Sequence, residues 1–265
     1  MKTKLLSFIS CFTFIFTAIC AETNETTIYL SQSEKSSEQA AGYFKTGQSL
    51  SRYLAYRDIP AFITQYCQGK NALDYGAGTG FSTQFLLEQE LDVTGVDISK
   101  EMLVQATLNC PDTPFYLSQN GSIPSPSDAY DLVFSSLVLF ELGSEKEILA
   151  YLEEAKRVLK KTGIFIAVTG SEEMYSKNWL IFNTDFPENV HLKSGDLAKI
   201  YLCDADIEFT DYYWREADYL RLFEEAGFQV LEVHHPMGKE EEPCLWKDEK
   251  TNSPFVIFVA RKNSL

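Results

Sequence analysis

An α/β fold built on a parallel sheet is the architecture this sequence predicts, and three observations carry it. Apolar strand-like runs alternate with helix-spaced stripes; a glycine-rich bend (Gly76, Gly78, Gly80) follows the first such run; and the second run closes on an acid, Asp97. Strand, helix, strand in succession gives parallel pairing, because the chain must cross back over the sheet before pairing again. With 265 residues and 45% hydrophobic content, the chain can bury the core of one elaborated domain, residues 41–265.

Two segments precede that domain. Met1-Lys-Thr-Lys4 leads into seventeen uncharged residues, Leu5 to Ala21, ending in small side chains. This is the pattern of a signal peptide, and it falls short of the roughly 20 residues of a membrane span. Residues 1–21 therefore predict export to a periplasm or the outside; left uncleaved, they form an anchor, the only membrane contact expected, with the domain in the cytoplasm. Residues 22–40 carry Ser, Thr, Glu and Gln with few large apolar groups, and read as a flexible linker.

Within the domain, Leu50, Tyr53, Leu54 and Arg57 keep helical spacing, and Pro60 separates that helix from a second over 61–67. Strands are expected over 71–75, 92–97, 115–117 and 130–139, and helices over 79–88 and 99–109, the latter capped by Ser99 and stopped by Cys110-Pro111. A Ser/Pro loop spans 121–128. Ile148, Leu152, Ala155 and Leu159 form one stripe, which Lys160-Lys161-Thr162-Gly163 is expected to close before a strand over 164–168. Residues 171–214 break the rhythm, with short alternating segments at 197–201 and 207–209. They read as an inserted lid whose Tyr175, Trp179, Phe182, Phe186, Tyr212, Tyr213 and Trp214 offer an aromatic cover. A helix with Tyr219, Leu222, Phe223 and Ala226 ends at Gly227, and strands follow over 229–233 and 255–260.

The bend and the acid together make a nucleotide-binding half. Gly76, Gly78 and Gly80 allow positive φ and keep side chains off the turn, so a ligand can lie against main chain and helix N-terminus; Asp97 can accept from vicinal ribose hydroxyls. A dinucleotide fingerprint would place glycine at 81, where Phe81 stands. That disfavours a nicotinamide oxidoreductase. A formal charge of -15 opposes capture of nucleic acid. Cys67, Cys110, Cys203 and Cys244 are dispersed without a C-x-x-C pair, so no metal site is indicated.

The stretch "ALDYGAGTGFSTQFLLEQELDVTGVDISKEMLVQA" resembles the first two motifs of class I S-adenosylmethionine-dependent methyltransferases, and "YDLVFSSLVLFEL", "EAKRVLKKTGIFIAV" and "LFEEAGFQVLEV" extend the likeness toward small-molecule enzymes of the quinone and toxoflavin pathways. The resemblance implies a Rossmann-like, doubly wound, seven-stranded sheet, mostly parallel, with its last strand antiparallel. It also implies S-adenosylmethionine as cofactor: methionine part against Asp74, Gly76 and Gly78, ribose on Asp97, and Ile98 and Met102 packed on adenine. Gln119, with Asn120 beside it, stands where the family often has an acid for the adenine amino group. Ser135 falls at the methyl channel, and Arg57 is a candidate partner for the methionine carboxylate. Tyr43, Tyr53 and Tyr56 are candidates to surround the sulfonium.

Methyl transfer from a sulfonium is an in-line displacement that rests largely on positioning. Candidates for a base are Glu141, His191, His234 and His235. Nucleic-acid amino methyltransferases usually carry a Pro-Pro-aromatic signature after the fourth strand; "SSLVLFEL" stands there, which favours a small-molecule acceptor bonded through O, N or C. The alternative is an exported or anchored binding module that keeps the fold without turnover, with the leader and Gln119 as its grounds.

Overall fold

The computed structural model describes residues 50–263 apart from 120, 204–205 and 243. The leader, the linker, Tyr43 and Asn120 lie outside the described residues. Two short helices, α1 (Leu50–Tyr56) and α2 (Ile59–Tyr66), precede β1 (Asn71–Tyr75). Then come α3 (Phe81–Glu88), β2 (Asp92–Asp97), α4 (Lys100–Asn109), β3 (Phe115–Leu117), β4 (Tyr130–Ser136), α5 (Glu145–Val158) and β5 (Leu159–Gly170). Ser99 caps α4 by accepting from the Met102 N–H at 3.3 Å.

After β5 the chain forms β6 (Phe182–Asn183), β7 (Leu197–Leu202) and β8 (Ile207–Tyr212), a separate antiparallel sheet, before α6 (Glu216–Glu225), β9 (Phe228–His234) and β10 (Phe255–Lys262). The main sheet has seven strands in the order β3-β2-β1-β4-β5-β10-β9. β3, β2, β1, β4 and β5 pair in parallel, and β10 runs antiparallel to both β5 and β9. That is the architecture the resemblance implied.

Both faces of the sheet are covered. Leu73, Val133, Phe165 and Phe258 pack with Ile148, Leu152 and Phe223 of α5 and α6. Their neighbours Ala72, Leu132, Ile166 and Ile257 pack on the other face with Ile59, Ile63 and Leu86. Successive side chains of a strand point to opposite faces, so strands buried on both sides read as continuous apolar runs.

Two local expectations are corrected. α5 stops at Val158, and Leu159 is already extended at φ −73, ψ 136. Residues 160–163 do not close the helix; they form an irregularity within β5, whose register with β4 jumps from Tyr130↔Leu159 to Leu132↔Ile164. Gly163 is needed there because a Cβ would lie 2.8 Å from Leu159 Cδ1 and 3.0 Å from the Asp131 carbonyl oxygen. The inward face of α1 also differs from the stripe drawn through Tyr53 and Arg57. Tyr53 is 43% exposed, whereas Leu54, Ala55 and Tyr56 are buried.

The inserted segment is packed rather than loose. Tyr175, Trp179, Phe182 and Trp214 are buried, and the Trp179 and Trp214 indole N–H groups donate to the carbonyls of Met174 and Leu142. No helix among the described residues is long and apolar enough to cross a membrane. Cys67, Cys110, Cys203 and Cys244 are free thiols.

Candidate functional site

A cleft of about 1040 Å³, mouth included, lies over the carboxyl ends of β2, β1 and β4, with α1 and the start of α3 closing one side. Sites at strand carboxyl ends next to a reversal of strand order are general in open α/β sheets. Here β1 is followed by β2 on one side and lies beside β4 on the other, so the cleft straddles that point.

The three glycines of the bend have three different reasons. All have positive φ, +85, +53 and +86 for Gly76, Gly78 and Gly80. A Cβ on Gly78 would meet nothing within 4 Å, so this residue alone keeps open space beside the backbone. A Cβ on Gly76 would lie 2.4 Å from Val138 Cγ2, in the wall built by the turn after β4. Gly80 caps α3 and lets it approach α4, where a Cβ would come 3.1 Å from the Ala106 Cα. Gly76 and Gly78 line the cleft; Gly80 does not.

Asp97 ends β2 in the cleft wall. Its Oδ2 accepts the Gly78 N–H and its Oδ1 the Ser99 N–H, both at 2.8 Å. One carboxylate thus fastens the glycine bend to the cap of α4. Ile98 and Met102 line the cleft beside it. On the floor Tyr75 and Tyr151 stack with ring centroids 3.9 Å apart, and the Tyr151 hydroxyl donates to the Tyr75 carbonyl at 2.7 Å.

Several candidates stand elsewhere. Asp74 is fully buried behind the cleft wall, where its Oδ2 accepts from Ser82 at 2.8 Å and Thr83 at 2.5 Å, tying α3 to β1. Burial pushes its carboxyl up to about 6, against the lowering effect of those two hydroxyls. Ser135 is buried within β4, paired with the Tyr151 hydroxyl at 2.9 Å; Ser136, one residue on and therefore on the other side of the strand, lines the cleft and lies 2.7 Å from the Tyr56 hydroxyl. Gln119 is exposed and bridges to Ser122, while Ser118 and Gly121 on either side line the cleft.

Arg57 points away from the cleft. It grips Asp58 through two bonds of 2.9 and 2.8 Å and Glu242 through one of 2.6 Å. The Arg57 guanidinium in turn holds the Asp58 carboxyl down at about 2, against the raising effect of burial. The arginine that lines the cleft is Arg52, whose guanidinium lies 4.1 Å from the Phe81 ring centroid. The spacing Arg52, Tyr56, Ile59, Ile63 would have marked this inner face, since the last three are buried.

Of the four candidate bases, Glu141 lines the cleft, on a turn of 3-10 helix over Leu139–Glu141. The other three do not. His234 pairs with Asp58 at 2.8 Å, His235 with Glu216 at 2.7 Å, and His191 is exposed in the insertion on left-handed backbone. No described residue of the insertion lines the cleft.

Comparison with known proteins fits this geometry. Residues 73–167 match a family model described as a methyltransferase domain. A demethylmenaquinone methyltransferase of Tropheryma whipplei is 32% identical over 167 residues, 61% of this chain and 67% of that protein. An N-demethylindolmycin N-methyltransferase of Streptomyces griseus is 22% identical over 185 residues, 68% of this chain and 78% of its own length. The crystal structure of a putative S-adenosylmethionine-dependent methyltransferase from Listeria monocytogenes superposes with a TM-score of 0.61 at 21% identity, over 82% of this chain and all of that one, which establishes the shared fold. With the glycine bend, the acid at the tip of β2 and a relative at this identity, the chain belongs to the class I S-adenosylmethionine-dependent methyltransferases.

Proposed function

We propose that this enzyme methylates a planar, hydroquinone-like small molecule, with S-adenosylmethionine lying along the cleft from Asp97 toward Arg52. The observation that carries the cofactor's placement is Gly78: its missing side chain leaves open space next to a carboxylate already pointed into the cleft. Asp97 would take the ribose hydroxyls, Ile98 and Met102 the adenine faces, and Arg52 the methionine carboxylate. When bound, the sulfonium supplies an electrophilic methyl carbon, and the protein's task is alignment and exclusion of water. The acceptor class is supported by the aromatic side chains Tyr56 and Phe81 at the Arg52 end, and by the relative that acts on demethylmenaquinone.

Calorimetry with S-adenosylmethionine, S-adenosylhomocysteine and NAD, followed by mass analysis of demethylmenaquinol incubated with enzyme and donor, tests this reading. Binding of the two adenosyl ligands with gain of one methyl on the quinol supports it; NAD binding alone, or donor binding with no methylated quinol, sinks it. A paired substitution checks the arginine. Arg52→Gln is expected to raise the Kd for S-adenosylmethionine about tenfold or more, the scale of a charge-assisted bond. Arg57→Gln is expected to lower the melting temperature and leave the Kd nearly unchanged, because Arg57 ties α1 to Asp58 and Glu242.

A further inference from the structure

We propose that Glu141 is the general base of the reaction, receiving the proton that the accepting atom loses. The inference rests on the acceptor lying at the Arg52 end of the cleft, as proposed above. The balance is simple. The accepting atom, X–H, forms a bond to the methyl carbon while the carbon–sulfur bond breaks, and that electron pair remains on sulfur. The proton of X–H passes to a Glu141 carboxylate oxygen. A sulfonium and a carboxylate become a neutral thioether and a neutral carboxyl, so the step leaves the net charge of the cleft unchanged.

Position selects Glu141 from the other groups. Asp97, the other carboxylate among the described residues of the cleft lining, sits at the tip of β2, where the cofactor's ribose is proposed to lie. Asp74 is buried behind the wall. The Tyr56 and Ser136 hydroxyls are paired with each other at 2.7 Å, and burial pushes the Tyr56 phenol above its ordinary range, which disfavours the phenolate a base would require. The three histidines lie outside the cleft.

Glu141 is also carried on a braced segment. Its own N–H donates to the Val138 carbonyl at 2.8 Å. The next residue, Leu142, accepts the Trp214 indole N–H at 2.9 Å, and at Gly143 a Cβ would lie 2.7 Å from Tyr212 Cζ, so the ring packs directly on the backbone. The insertion thus reaches the site through the two residues after Glu141. A proton acceptor held on a rigid turn needs little rearrangement in the transition state.

The test compares wild type, Glu141→Gln and Glu141→Asp with demethylmenaquinol as acceptor, alongside calorimetry with S-adenosylhomocysteine and thermal melting of each protein. The glutamine variant is expected to lose about 100-fold or more in kcat, with the S-adenosylhomocysteine Kd within about twofold of wild type and an unchanged melting temperature. The aspartate variant is expected to recover part of that loss, since it restores the carboxylate. Turnover by Glu141→Gln within about threefold of wild type overturns the proposal, and so does a loss of S-adenosylhomocysteine affinity or of melting temperature matching the loss of rate. A wild type that binds S-adenosylmethionine and leaves the quinol unmethylated overturns the acceptor reading, and the base assignment with it; an active wild type beside an equally active glutamine variant overturns the base alone.

Discussion

Asp97→Ala is expected to weaken S-adenosylmethionine binding by about 1.5–3 kcal/mol, roughly 10- to 150-fold in Kd, the range for hydrogen bonds to a charged partner. Two losses combine. On the proposed placement the ribose hydroxyls lose their acceptor, and the Gly78 and Ser99 N–H groups lose theirs, so the glycine bend is no longer tied to the start of α4. Asp97→Asn separates the two, because its single carbonyl oxygen can serve only one of those backbone donors without an unfavourable contact from the amide nitrogen. An intermediate affinity is expected. Titration calorimetry on the three proteins reads the series, and an unchanged Kd for the alanine variant removes Asp97 from the cofactor site.

The glycine bend supplies the second large effect, and its three residues should fail differently. Gly78→Ala places a methyl where no atom of the described residues lies within 4 Å, at φ +53. The backbone cost of a left-handed alanine is about 1–2 kcal/mol, and the methyl enters the part of the cleft where the cofactor is proposed to lie. A tenfold or greater rise in Kd is expected, about the loss of one good contact, with a fall of a few degrees in melting temperature. Gly76→Ala adds an overlap with Val138 Cγ2 at 2.4 Å to the same kind of backbone strain. Overpacking of this sort costs about 1–3 kcal/mol, so its melting temperature should fall further than that of the Gly78 variant. Gly80→Ala strains the contact with Ala106 in α4 and is expected to affect stability more than affinity. Equal losses of affinity in all three variants would show that the bend acts as one hinge rather than by separate contacts.

How much of this was legible beforehand depended on whether a signal was local. β1, β2 and β3 fall at the expected bounds, because each is a short apolar run flanked by a bend or a cap that the chain itself supplies. The same locality fixed Ser99 as the cap of α4 and Gly227, at φ +82, as the end of the helix before β9. The misses have a common cause. Residues 160–163 looked like a helix stop, and only pairing with β4 turns them into a bulged strand. Ser135 and Ser136 are chemically identical in sequence, and the strand's register alone sends one hydroxyl to Tyr151 and the other to the cleft. Arg52 lies in α1 and Arg57 just past its end, and the choice between them was made by distant partners, Glu242 and the Met237 carbonyl, which draw Arg57 outward.

The sequence by itself determined the order of strands and helices, the glycine bend, the acid that faces it and hence the family of chemistry, because each is written in neighbouring residues. Tertiary structure alone decided which candidate groups share a cavity. A side chain's direction depends on register and on partners far along the chain, and those are fixed only when the sheet closes around its two cores.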